Sequence, residues 1–212
     1  MGKLIVFEGI DGSGKSTQAA LLLKRLKAEY IDFPQYGNWS ASFVEKYLRG
    51  EIAADPFQAS VFFALDRFSA KEKIVSWLES GSNVISNRYV HSSIAHLGAK
   101  MEERGKFFSW IERLEFEILG LPKPDLVLLL DMPAQGGMVG KKGKREYLKG
   151  RKMDIHEADM EQQEEAAKIY KRLAENEGWV RIECFRDHML PEEEISSKVW
   201  EAVTRVLALS GV

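Results

Sequence analysis

The chain has 212 residues, a formal net charge of −2, and 45% hydrophobic against 29% charged residues. This length suits one α/β domain with its own core, and the near-neutral balance gives no global reason to expect nucleic acid or an acidic membrane surface as a partner. No 18-residue apolar run predicts a membrane span, and a strand pattern begins at once, so no signal peptide is expected.

Leu4-Ile5-Val6-Phe7 predicts the first strand, and Ala19 to Leu26 a first helix. Between them, Gly9-Ile10-Asp11-Gly12-Ser13-Gly14-Lys15-Ser16-Thr17 fits G-x-x-x-x-G-K-[ST] in the strand–loop–helix setting its mechanism requires. Glycines let the backbone wrap a phosphate, the loop N–H groups point at the anion, and the helix adds its positive end. The loop from Gly9 through Asp11, Gly12, Ser13, Gly14, Lys15 and Ser16 to Thr17 is therefore expected to bind a nucleoside triphosphate. Lys15 would reach the β- and γ-phosphates, and the Ser16 hydroxyl would ligate Mg²⁺.

A second strand is expected at Tyr30–Phe33. After Pro56, the apolar residues Phe57, Val61, Phe62, Leu65 and Phe68, then Ile74, Val75 and Leu78, recur at helical spacing up to Gly81. Asn83–Ser86 reads as a third strand. A helical face spans Phe107 to Leu119 and stops before Gly120 and Pro122. Leu126–Asp131 reads as a fourth strand, and Glu157–Ala174 as a helix. Trp179–Phe185 is the fifth strand, and Pro191–Leu209 the last helix. Cys184, the single cysteine, sits in the alternation Val180 to Phe185 and is expected to be a buried strand residue. With no partner for an internal disulfide it suits a reducing compartment, and the chain is expected to be cytoplasmic.

Strands alternating with helices imply parallel pairing through crossovers, hence a five-stranded α/β fold with helices on both faces and ligands at the carboxyl ends of the strands. No linker divides the chain, so residues 1–212 read as one domain. Lys141 to Lys152 carries seven basic residues in twelve, after three glycines in Gln135 to Gly140. Beside a phosphate site this stretch reads as a basic lid, about 135–153, closing over transferring phosphoryl groups. A solvated loop and a nucleic-acid patch are the other readings, the last giving a nucleic-acid-dependent ATPase. The loop motif leaves kinases and motor ATPases open, since Leu126–Leu130 ends at Asp131, whereas an N-K-x-D guanine-reading segment is absent.

Four stretches in order carry a resemblance. They are Phe7-Glu8-Gly9-Ile10-Asp11-Gly12-Ser13-Gly14-Lys15-Ser16-Thr17, Phe33-Pro34, Phe63-Ala64-Leu65-Asp66-Arg67 and Asn87-Arg88-Tyr89-Val90-His91-Ser92-Ser93. Together they resemble the F-E-G-x-D-G-x-G-K-[ST]-T, F-P, F-x-x-x-R and D-R-Y-x-x-S segments of the thymidylate kinases, within the nucleoside-monophosphate kinase superfamily. The resemblance implies phosphoryl transfer from ATP to dTMP with Mg²⁺, toward dTTP synthesis, by a homodimer packed through helices. It implies that Phe63 stacks on thymine, that Arg67 holds the base carbonyl or acceptor phosphate, and that Arg88 holds the acceptor phosphate. Asp11 would take the deoxyribose 3′-hydroxyl, while Glu8, Phe33, Pro34, Tyr89, Ser92 and His96 complete the acceptor site. Lys15 and Arg88 would be catalytic with a lid arginine, Arg151 ahead of Arg145, because the loop itself has no arginine.

Three positions depart from the family pattern. Asn87 replaces its usual aspartate, with Asp131 and Asp66 as candidates to take over. Tyr36 stands where an arginine often contacts the acceptor phosphate, and His96 where a tyrosine crowds a ribose 2′-hydroxyl. These departures open dUMP, UMP or thymidine as alternative acceptors; a nucleoside would need a base, for which Glu8 is placed.

Overall fold

Strand β1 (Leu4–Glu8) is buried along its whole length, as a parallel strand covered on both faces must be. In the computed structural model, residues 1–136 and 160–208 are described. Their five strands form one parallel sheet in the order β2 (Ala28–Asp32), β3 (Asn83–Asn87), β1, β4 (Leu126–Asp131), β5 (Val180–Glu183). Alternate residues face two separate cores. Leu4, Val6, Val84, Val127 and Leu129 pack against α2 (Ser42–Leu48), α3 (Pro56–Ser69), α4 (Lys71–Glu79), α5 (Val90–Gly98), α6 (Arg104–Glu112) and α7 (Met160–Glu177). Ile5, Phe7, Ile85, Leu128 and Leu130 pack against α1 (Lys15–Leu23) and α8 (Glu192–Ala208). Each such side chain contributes about 1.5–3 kcal/mol by leaving water, which clamps the sheet between its helical layers. The expected α/β architecture, with five parallel strands and helices on both faces, is the one observed.

Several boundaries differ from the sequence expectation, each for a local reason. The second strand is Ala28–Asp32, not Tyr30–Phe33, because Pro34 has no N–H to continue a ladder. The fifth is shorter than expected, Val180–Glu183, and Cys184 lies just past it, still fully buried. The helical pattern after Pro56 is two helices. Asp55 starts α3 with a capping box to Gln58, and Asp66 ends it. The Asp66 carbonyl, which should accept from Ala70 N–H, takes Ser69 Oγ at 2.8 Å and Gln35 Nε2 at 2.9 Å, so Ala70 bonds back to Arg67 instead. The helix expected at Phe107–Leu119 starts earlier, at Arg104, and its end widens into a π turn over Arg113–Ile118. There Leu119 N–H reaches Leu114 O, five residues back, and Glu115 is turned wholly inward. Helices α2 and α5 were not expected. The helix read from Glu157 begins at Met160 among the described residues and runs past Ala174 to Glu177. From residue 137 onward the lid segment, with Arg145 and Arg151, lies outside the described residues.

Candidate active site

The carboxyl ends of β1, β2 and β3 meet at the glycine loop. Gly9 follows β1 at φ 143°, and a Cβ there would stand 2.7 Å from the Leu130 carbonyl oxygen and 2.9 Å from Ser13 Oγ. No side chain fits. Gly14, at φ 91°, leads into α1 without a side-chain cap, and the first turn of α1 holds no acidic residue. The helix N–H groups and positive dipole end are thus left for an anion in the loop. Lys15 is nearly buried, its Nζ donating to Gly9 O at 2.9 Å and Ile10 O at 2.8 Å, with Ser13 Oγ at 3.4 Å.

Opposite stands Arg88, the one non-glycine with positive φ, 67°, among the described residues. Such backbone geometry costs about 1–3 kcal/mol and clusters at functional positions. Its guanidinium donates to Gly9 O at 3.3 Å, Ser92 Oγ at 3.2 Å and the Asp11 carboxylate. It also contacts His96 Nε2 at 2.9 Å. Because arginine cannot accept, this contact is a hydrogen bond only when His96 Nε2 offers its lone pair. Burial would lower the Arg88 pKa, but Asp11, then Tyr170 and Glu8, outweigh it and hold the cation. Asp11 is clamped from the far side by Gln163, which accepts from Asp11 N–H at 3.4 Å and donates to its carboxylate at 3.0 Å.

Glu8 is fully buried and accepts from Tyr89 N, Ser92 N, Ser92 Oγ and Tyr170 Oη at 2.6–3.1 Å. It therefore caps α5 from a neighbouring strand, fixing the segment that carries Arg88, Ser92 and His96. With its acceptor sites so occupied, it is poorly placed as a general base for a nucleoside hydroxyl.

Phe63, half-buried, meets Tyr47 edge-on at 6.3 Å. Arg67, one helical turn further on, is buried and grips Glu115 with two bonds of 2.5 and 2.7 Å, plus Ser93 Oγ at 2.7 Å and Tyr89 O at 3.3 Å. Burial opposes its charge, yet the Glu115 carboxylate carries its pKa above the usual arginine value. Four of the five guanidinium N–H groups are thereby occupied. Tyr89 is also buried, its hydroxyl donating to Pro122 O at 3.1 Å, so it backs Phe33, 6.0 Å away, rather than facing the cleft. Tyr36 is exposed at the cleft rim.

Ser16, in the first turn of α1, keeps its hydroxyl at the surface, where Asn87 Nδ2 donates to it at 3.1 Å. This is a hard oxygen donor of the kind Mg²⁺ takes. The two acidic residues expected to replace the charge missing at Asn87 are occupied elsewhere. Asp66 is buried on Ser40 Oγ (2.7 Å) and Gln35 N (2.8 Å), and Asp131 is paired with Arg181 and Lys171. The carboxylate actually beside Asn87 is Asp32, which sequence reading missed. It also missed Glu115, Gln163 and Tyr170. For the last two a signal existed: both lie on the buried stripe of α7 with Ala166 and Leu173, where a glutamine is out of place. Cys184 is inert, its thiol pushed up to about 12 by burial.

A model of the thymidylate kinase family matches residues 7–195. The thymidylate kinase of Mycobacterium tuberculosis is 35% identical over 187 residues, 83% of this chain and 87% of that protein. That of Dictyostelium discoideum is 29% identical over 203 residues, 92% of this chain and 84% of its own length. A solved structure of Candida albicans thymidylate kinase has a TM-score of 0.74 at 23% identity, covering 96% of this chain and 92% of that one, a likeness of fold.

Proposed function

Because this chain belongs to the thymidylate kinase family, we propose that the cleft at the carboxyl ends of β1, β2 and β3 is where ATP gives its γ-phosphoryl group to dTMP. The chain is an ATP-dependent phosphotransferase acting on dTMP. The observation that supports the residue assignment is the convergence of Lys15, Asp11 and Arg88 on a single glycine loop.

The loop amides and the α1 N-terminus take the donor phosphates, and Lys15 exchanges the Gly9 and Ile10 carbonyls for β- and γ-oxygens. Ser16 holds Mg²⁺, which when bound neutralises charge on those oxygens. Arg88, kept cationic by Asp11, offers its planar fork to the acceptor phosphate. Asp11 takes the 3′-hydroxyl, and His96 and Ser92 lie beside the sugar. Phe63 stacks on the base, with the remaining Arg67 N–H as the donor for its carbonyl. Little covalent chemistry is asked of the protein; holding the two phosphates in line and offsetting their charge lowers the barrier. Arg151 or Arg145, outside the described residues, supplies the further cation. We read residues 1–212 as one domain with a basic lid, working in the cytoplasm. The exposed Phe57, Val61 and Phe68 of α3 with Trp110 of α6 offer a face for a homodimer.

A coupled ADP-release assay tests the reading, with Mg²⁺, ATP and dTMP, dUMP, UMP, dCMP, AMP or thymidine offered separately. Preference for dTMP, abolished by Lys15→Ala, is the expected result. Turnover of thymidine alone, or full activity in Lys15→Ala, would refute the assignment.

A further inference from the structure

Asp32 ends β2 directly beside Asn87, its register partner in the parallel β2–β3 ladder. Its side chain reaches solvent in the cleft, and among the described residues no cation pairs with it within 4 Å. The other carboxylates at this end of the sheet are already bound: Glu8 to α5, Asp11 to Arg88 and Gln163, Asp66 to Gln35 and Ser40, Asp131 to Arg181 and Lys171. Burial raises the Asp32 pKa above the usual carboxylate value, and nearby cations and donors act against that rise. Arg88 and Lys15 act on it from the loop side, and the strand register sets it next to Asn87.

The amide at Asn87 explains how this arrangement holds. Its Nδ2 donates to Ser16 Oγ, and its residue is the register partner of Asp32. A carboxylate at 87 could donate to neither and would place a second negative charge against Asp32. The two side chains therefore act as a unit: one negative charge, on β2, tied through one amide, on β3, to the hydroxyl that begins α1.

We propose that Asp32, through Asn87, is the acidic positioning residue for the hydrated Mg²⁺ that accompanies the nucleotide at Ser16. This rests on the kinase reading. A hydrated Mg²⁺ keeps several waters and favours carboxylate oxygens around it, and among the described acidic residues here Asp32 is the one with solvent access and no ion pair. Outer partners of this type are worth roughly 10–100-fold in metal affinity.

The test is a pair of binding measurements on the whole chain. ATP binding is followed by calorimetry in EDTA, and Mn²⁺ binding to the enzyme–ATP complex by electron paramagnetic resonance. Asp32→Asn is expected to leave metal-free ATP affinity within about twofold, while weakening Mn²⁺ binding to the complex about tenfold. The exchanged pair, Asp32→Asn with Asn87→Asp, is expected to recover Mn²⁺ affinity to within about threefold, because it restores one charge and one amide on the same two strands. Unchanged Mn²⁺ affinity in Asp32→Asn would overturn the proposal. So would an equal loss in EDTA, which would make Asp32 a structural residue of the loop. An unmutated chain that binds no ATP would instead overturn the kinase reading, and this inference with it.

Discussion

Replacing Glu115 by Gln should destabilise the protein strongly while altering no proposed substrate contact. Arg67 and Glu115 are 2% and 0% exposed and share two short bonds. Gln keeps the shape and one acceptor but leaves a guanidinium in the core with only Ser93 Oγ and the Tyr89 carbonyl as further partners. Removing one member of a buried pair costs about 3–5 kcal/mol; the surviving acceptor puts Glu115→Gln near about 3 kcal/mol. For a chain of this size each kcal/mol moves Tm by about 2–4 °C, so a fall of about 6–12 °C is expected by scanning calorimetry. The control is the double variant Arg67→Met with Glu115→Leu, which removes both charges and should regain most of that stability. Its KM for dTMP should nonetheless be raised, because the base edge has lost its donor. A Tm loss under about 2 °C in Glu115→Gln, or a double variant no more stable than the single, would refute the reasoning from an uncompensated charge.

Two further outcomes are expected. Gly9→Ala forces a methyl against the Leu130 carbonyl at a backbone angle that alanine avoids. ATP affinity should fall by about tenfold or more, since a strain of about 1–3 kcal/mol falls on the phosphate loop; calorimetry giving unchanged affinity would count against it. Glu177 is the second case. Burial would raise its pKa, but hydrogen bonding and charge from His91, helped by Trp179, bring it below the usual value. A carboxylate depressed in the folded state stabilises above its unfolded pKa and loses that contribution as pH falls through its folded pKa. The advantage of the unmutated chain over Glu177→Gln, about 1 kcal/mol or less for a pair this accessible, should be present in melts at pH 6 and vanish by about pH 3. An advantage that grows on acidification would reverse the sign and exclude the mechanism.

How much of this was legible depends on how local each cause is. The glycine loop is written in nine consecutive residues, and the flanking strand and helix set it apart from a chance glycine-rich turn. β1 and β4 announce themselves as apolar runs because both their faces are covered. β2 does not, since as an edge strand it buries only Ile31 and carries Glu29, Tyr30 and Asp32. The break between α3 and α4 was hard to read because Gln35, far upstream, joins Ser69 on the Asp66 carbonyl. The site behaves likewise. Lys15, Arg67 and Arg88 follow from motifs, but the groups that hold them or their neighbours come from other elements: Gln163 on Asp11 and Tyr170 on Glu8 from α7, and Glu115 on Arg67 from a π turn that no periodicity predicts. Asp66 and Asp131 looked available in the sequence and are not, because their partners are remote in the chain. Asp32 falls inside the strand expected at Tyr30–Phe33 and drew no attention there; only the pairing with β3 sets it against Asn87.

The strand order carries a consequence for how the molecule is made. β1, which leads into the nucleotide loop, lies at the centre of the sheet, between β3 and β4. On the ribosome it is made before both of its neighbours, gaining one only after Val84 has emerged and the other only after Leu126. At about 5–20 residues per second, that leaves both its edges waiting for several seconds and the second for roughly 6–25 s. During that interval Leu4 to Phe7 is a short, uncharged, aggregation-prone segment whose eventual partners do not yet exist. A nascent chain of this kind is a natural client for chaperones, and truncations that stop before β4 should be found in the insoluble fraction.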